Sequence, residues 1–412
     1  MQKRWLPLLL ALALLAGCRS ATPSASKLTP TPAPAAPSPT ATPLPGTLII
    51  SDAAIASQLS FAFVRANDVW VGLHGAAPQQ VTHLGLPAQP LDWHLIWSAD
   101  QATLLATESN DFSTGAFQGE SWIIRLPEQA VTPLLDAATL TAGCTISCGW
   151  LGGRYLVHAD ATQVGSHAQI YHIYDIQTQR DLSTSLDSEV ITEWQVHGSS
   201  LYFTPYNVNV ENSPGIIKRF DLSSNQITTV FTVPGPLVSE GIPSGNWDLS
   251  ADGRRAVMSF AFGITQHCSV GQCMTFYQDA TGKVDVLFPS YQPSTNKGNA
   301  LTIGASISPD GRYAAGLAAS GASIVSNPTY SLIQQAIPSG SELENEIPNS
   351  TQKHDDWVLG WTSQGILVQQ VERDTQDNPL ATSIFFAPVA SAATAHLVET
   401  IQAGLVVFAP LG

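Results

Sequence analysis

The stretch Ile307-Ser308-Pro309-Asp310-Gly311-Arg312-Tyr313 limits what this chain can fold into more than any other. An apolar residue ends one extended run, a Pro-Asp-Gly turn reverses the chain, and a second apolar run follows. Gly accepts the positive φ of such a reversal at little cost. Related stretches recur: Trp97-Ser98-Ala99-Asp100, Trp150-Leu151-Gly152-Gly153, Trp194-Gln195-Val196-His197-Gly198, Leu249-Ser250-Ala251-Asp252-Gly253 and Trp361-Thr362-Ser363-Gln364-Gly365. Each precedes an apolar run, such as Thr103 to Ala106, Leu201 to Phe203 or Ile366 to Val368. Further candidate strands follow in several units, among them Gln169 to Ile176, Ile216 to Leu222 and Ser383 to Pro388. A period of roughly 40 to 60 residues with about four strands per unit is the pattern of a β-propeller blade.

The two ends of this array predict how it closes. Phe61 to Val64, Asp68 to Val71 and Gln80 to Thr82 read as a three-strand meander with no inner strand before it. The C-terminal Val406-Val407-Phe408-Ala409-Pro410-Leu411-Gly412 reads as a seventh, degraded copy, with Phe408 in the lead position. The expectation is that this last strand completes the first blade and closes a ring, which removes exposed sheet edges. The expected fold class is therefore all-β: a propeller of seven four-stranded blades, closed by the C-terminal strand, with six or eight blades as the alternatives that the weak copies at Trp150 and Trp194 leave open.

These residues resemble the WD40-like propeller repeats of the TolB family, whose blades carry a Trp-Ser-Pro-Asp-Gly core. The resemblance covers most of residues 60 to 412, with Ile307 to Gly311 its best copy. It implies a propeller and transfers no activity, because this fold hosts many.

The N-terminus speaks about location. Lys3 and Arg4 precede an apolar run, Leu6 to Ala16, that is too short to span a bilayer. It ends in Leu15-Ala16-Gly17-Cys18, which resembles the lipobox of bacterial lipoproteins. The resemblance implies cleavage before Cys18 and a lipid on its sulfur. Residues 1–17 are thus read as a signal peptide. Residues 18–46, rich in Pro, Ser and Thr, are read as an extended tether. Residues 47–412 form the propeller. The expected place is the cell membrane, lipid-anchored, on the extracytoplasmic face.

Composition excludes some partners. There are 17 Lys+Arg against 32 Asp+Glu, a net charge of −15. Nucleic-acid binding, which needs basic surface to displace counterions, is disfavoured. A monomer is expected, with an unidentified protein or cell-envelope ligand as partner and the membrane reached through Cys18.

Few constellations suggest chemistry. Cys144 and Cys148 form one close pair, Cys268 and Cys273 another. Outside the cytoplasm these read as two local disulfides, with one long-range pairing or free thiols as the alternative; neither has the Cys-x-x-Cys spacing of a zinc site. His158, His167 and His172 lie near one predicted strand pair, and solvated or capping roles are favoured over a metal. His354-Asp355-Asp356 precedes Trp357 at the start of an inner strand, where propeller ligands often approach; an exposed acidic turn is the plainer reading. Glu342, Glu344 and Glu346 alternate within Ile337 to Lys353, read as an acidic insertion and a candidate partner contact. No serine elbow, P-loop or dinucleotide fingerprint occurs. No catalytic, cofactor or metal residues are assigned.

The expected function is a membrane-anchored scaffold that binds a protein or ligand. One alternative is a glycan hydrolase or lyase, which would place paired carboxylates or a metal cluster in the central channel. Another is a solute-binding lipoprotein with a deep apolar pocket.

Overall fold

The computed structural model describes residues 47–411 except 85–91, 110–118, 127, 135–137, 164–168, 207–214, 234–245, 263–271, 292–300, 321–328, 351–353, 377 and 404–405. Cys18, His167 and Cys268, singled out above, lie outside the described residues, as do the side chains of Cys273, His354 and Asp355.

Strand β1 (Thr47–Ile50) and the single turn of helix α1 (Ala53–Ala56) come first. Blade 1 takes β2 (Phe61–Arg65), β3 (Asp68–Gly72) and β4 (Gln79–Gln80). Blade 2 is β5 (Asp92–Trp97), β6 (Thr103–Ser109), β7 (Gly119–Arg125) and β8 (Ala130–Pro133). Helix α2 (Ala138–Ile146) leads to blade 3: β9 (Cys148–Leu151), β10 (Tyr155–Ala159), β11 (Tyr171–Asp175) and β12 (Arg180–Leu182). Blade 4 is β13 (Ile191–His197), β14 (Ser200–Pro205), β15 (Gly215–Asp221) and β16 (Gln226–Val233). Blade 5 is β17 (Asn246–Leu249), β18 (Arg255–Phe262), β19 (Gln272–Asp279) and β20 (Val284–Leu287). Blade 6 is β21 (Leu301–Ile307), β22 (Tyr313–Ser320), β23 (Thr329–Ala336) and β24 (Glu342–Glu346). Blade 7 is β25 (His354–Trp361), β26 (Gly365–Arg373), β27 (Pro379–Pro388) and β28 (His396–Gln402), and β29 (Val406–Phe408) ends the chain.

Among the described residues the named strands form seven antiparallel sheets, each a meander of consecutive strands except where β1 and β29 join, so this is a seven-bladed β-propeller. The predicted closure is present. β29 is the inner strand of blade 1, with Phe408 opposite Phe61. A second closure was not foreseen: β1 adds a fifth, outermost strand to blade 7, with Ile50 opposite Glu399. The first and last described strands therefore join the last and first blades.

The core is a set of seams between blades. Successive residues of one strand face opposite seams, so the strands read as apolar runs where a sheet with one wet face would alternate. Leu104 packs toward blade 1 and Leu105 toward blade 3. Ala314 packs toward blade 5 and Ala315 toward blade 7. The closing seam joins Phe61, Phe63 and Phe408 of blade 1 to Leu367, Ile384 and Phe386 of blade 7.

The repeated turn owes its shape to its serine as much as to its glycine. In blade 6 the Ser308 hydroxyl donates to Asp310 at 2.7 Å and accepts the Tyr313 N–H at 3.0 Å, while Asp310 accepts the Arg312 N–H at 3.0 Å. The same three bonds recur through Ser250 and Asp252, and through Ser98 and Asp100. Gly253 and Gly311 take φ of 64° and 67°, and Gln101 holds the equivalent position at 58°.

The lead tryptophans also bind ring neighbours together. Trp97 Nε1 donates to the Val407 carbonyl of blade 1, Trp150 Nε1 to the Ile96 carbonyl of blade 2, and Trp361 Nε1 to Ser306 of blade 6. Each partner immediately precedes the lead residue of the previous blade. In blade 4 the residue that pairs like Trp361 is Val196 rather than Trp194: Val196 lies opposite Leu201 as Trp361 lies opposite Ile366. The expected copy in that blade is thus displaced by two residues, leaving Trp194 free for another role.

Candidate ligand-binding site

The inner strands all begin at one end of the central channel. In a ring of antiparallel blades, the connections from second to third strand and from one blade to the next gather at that same end. These are the longer connections here, such as the one between β12 and β13, whereas the opposite end carries short turns. Long loops on a rigid scaffold are the usual place for recognition.

A cavity of about 420 Å³ opens among the starts of the inner strands of blades 3, 4 and 5. Its blade 3 wall is Ser147, Cys148 and Tyr171; blade 4 supplies Thr192, Glu193, Trp194 and Gln195; blade 5 supplies Trp247. The local cause is a bulge in β13, where the register shifts between Ile191 and Glu193. A bulge re-aims the side chains that follow it. Ile191 and Trp194 consequently both pack into the seam with blade 3, despite their odd spacing. Gln195 turns the other way, and its amide donates to the Trp247 carbonyl of blade 5.

The aromatic wall is tied in place. Trp194 Nε1 donates to Ser147 Oγ at 3.2 Å, and its ring meets Tyr171 edge-on with centroids 5.6 Å apart. Trp247 Nε1 donates to Thr204 Oγ1 at 3.0 Å. Gly149 lies under Trp194, where a Cβ would sit 2.5 Å from the ring, so only glycine permits this approach. The Cys144–Cys148 disulfide ties the last turn of α2 to the first residue of β9, beside Ser147. One predicted cysteine pair is therefore bonded, and it borders the cavity.

Glu193 is the one carboxylate of this lining among the described residues. Burial pushes its carboxyl up to about 7. Among the described residues it has no hydrogen-bonding or ionic partner. Burial also raises the Tyr171 phenol, and the Glu193 charge adds to that rise. An acid that titrates near neutrality can hold or release a proton there, or serve as a counter-ion.

The residues singled out by sequence are placed elsewhere. His158 and His172 face each other across β10 and β11, with ring centroids 5.7 Å apart. His158 Nε2 lies 2.8 Å from Asp181, and His172 Nδ1 lies 3.2 Å from Asp187. These carboxylates occupy the imidazoles, and among the described residues no group of three or more His, Cys, Asp or Glu is arranged for a metal. Asp356 is buried and accepts the Ser350 hydroxyl at 2.6 Å, so it is no exposed acidic turn. The acidic insertion is corrected as well: Glu342, Glu344 and Glu346 sit on β24, the outer strand of blade 6, opposite Gln335, Ile333 and Ser331. Their alternation is the period of a strand, with Asn345 turned inward to Gln334 at 2.7 Å.

Glu193, Tyr171, Gln195 and Trp247 were missed in the sequence. The usable signal was Glu193 in Ile191-Thr192-Glu193-Trp194, the one carboxylate of the inner strand Ile191–His197.

Fold and site together define the class: a seven-bladed propeller with a polar-aromatic cavity at the loop-bearing end of its channel. No family model matches the chain, and no curated protein matches it. Among solved structures it is similar to prolyl endopeptidases, at 13% identity and a TM-score of 0.43, over 72% of this chain and 40% of that one. The propeller domain of the Trilobed protease from Pyrococcus furiosus gives 12% identity and a TM-score of 0.47, over 81% and 91%. Oligogalacturonate lyase from Vibrio parahaemolyticus gives 10% and 0.44, over 66% and 73%. The chain spans less than half of the prolyl endopeptidase it matches.

Proposed function

We propose that this protein is a lipid-anchored, extracytoplasmic propeller that captures a ligand at the loop-bearing end of its channel. The observation that carries this reading is the cavity between blades 3, 4 and 5, with fixed aromatic walls and an unpartnered carboxyl group. Its volume falls within the usual range for small-molecule sites. The lipobox-like Leu15-Ala16-Gly17-Cys18 and the Pro-rich segment after it support the anchor and the tether, and the repeat core supports kinship with the TolB-type propellers.

The test uses full-length protein purified from membranes, with bound small molecules released and read by mass spectrometry. Thr192→Trp, which fills the cavity, is the reference. Enrichment of a small molecule on the wild type alone supports the reading. Equal recovery from both proteins removes the cavity as the capture site.

A further inference from the structure

The lining of the cavity is biased in its hydrogen-bonding chemistry. Its donors are largely used inside the protein: the Trp194 indole on Ser147, the Trp247 indole on Thr204 Oγ1, the Thr192 hydroxyl on the Thr204 carbonyl, and the Gln195 amide on the Trp247 carbonyl. What the wall offers a ligand is acceptor character, led by the Glu193 carboxylate. Among the described residues, no Lys, Arg or His belongs to the lining. A partly buried carboxylate without a partner is costly, and its elevated titration is the sign of that cost. A cation supplied by the ligand relieves it. Tyr171, Trp194 and Trp247 stand in the same wall, and aromatic rings attract alkylammonium groups through their quadrupoles. The net charge of −15 adds long-range attraction for cations and repels anions.

We propose that this cavity takes a small organic cation, an alkyl- or quaternary ammonium group, with Glu193 as its counter-ion and Tyr171, Trp194 and Trp247 as its aromatic wall. The proposal rests on the capture reading and names the ligand class for the same site. Ligands that are neutral but otherwise the same shape are discriminated against, because they leave the carboxylate unpaired.

The experiment compares choline with 3,3-dimethylbutan-1-ol, its neutral isostere, on the full-length detergent-solubilised protein at pH 8, where Glu193 is ionised. Binding is read by titration calorimetry and by tryptophan fluorescence. Choline is expected to bind at least tenfold more tightly than the isostere. Glu193→Gln should weaken choline at least tenfold and leave the isostere unchanged, with an unaltered circular dichroism spectrum. Glu193→Asp, which keeps the charge and withdraws it by one methylene, should retain the preference for choline. Equal binding of choline and isostere, or an unaffected Glu193→Gln protein, overturns the proposal. A neutral molecule recovered from the wild type but not from Thr192→Trp, together with no preference for choline, overturns the cation while leaving capture at the cavity standing.

Discussion

Single residues in this propeller act through bonds that cross from turn to strand or from blade to blade. Ser308 is 5% exposed and joins Asp310, Arg312 and Tyr313 in one turn. Ser308→Ala should therefore destabilise by about 1–3 kcal/mol, read as a lower denaturant midpoint at unchanged slope. Glu399 acts in the opposite sense. It is fully buried in the seam between blades 7 and 1, and neither carboxyl oxygen has a partner among the described residues. Burial raises its carboxyl from 4.5 to about 7. A raised acid binds its proton more tightly in the folded state. Its contribution is thus full below pH 4.5 and is lost as pH rises toward 7, by at most about 3 kcal/mol. Glu399→Gln should flatten the fall in stability between pH 5 and 8; identical pH profiles for the two proteins would remove this role.

At the scale of elements, closure is divided unequally between two strands. β29 is central to blade 1: it pairs with β2, receives the Trp97 indole at Val407 and the Gln101 amide at Pro410, and buries Phe408. β1 is an outer fifth strand with Ile49 and Ile50 half exposed. Deleting residues 406–412 should lower the melting temperature of the whole ring and broaden the transition, because it opens a sheet edge and two apolar seams at once. Replacing Thr47–Ile50 with Gly and Ser should shift the melt far less. A larger loss from the β1 replacement would reverse this ranking. The closing role of β29 was readable because a three-strand unit at one end and a lone strand at the other complete each other. β1 was not readable, since four residues carry no period and their partner lies at the other end of the chain.

At the scale of the whole molecule, the structure is a seven-bladed propeller, and the membrane anchor is a proposal that rests on the N-terminal sequence. The anchor makes a direct prediction. Cys18→Ser should move the protein from the membrane fraction to the soluble fraction of broken cells, with its melting transition unchanged. Continued membrane retention would count against a lipid on Cys18. The sequence alone determined the repeat and the closing strand, because these depend on local turns and on apolar runs that any blade must bury on both faces; the tertiary structure decided for seven blades over six or eight. It determined equally that Cys144 and Cys148 were close enough to join. The tertiary structure alone decided the site. Glu193 is an ordinary surface residue type until a bulge in β13 and walls from blades 3 and 5 remove it from water, and that burial comes from segments far apart in the chain.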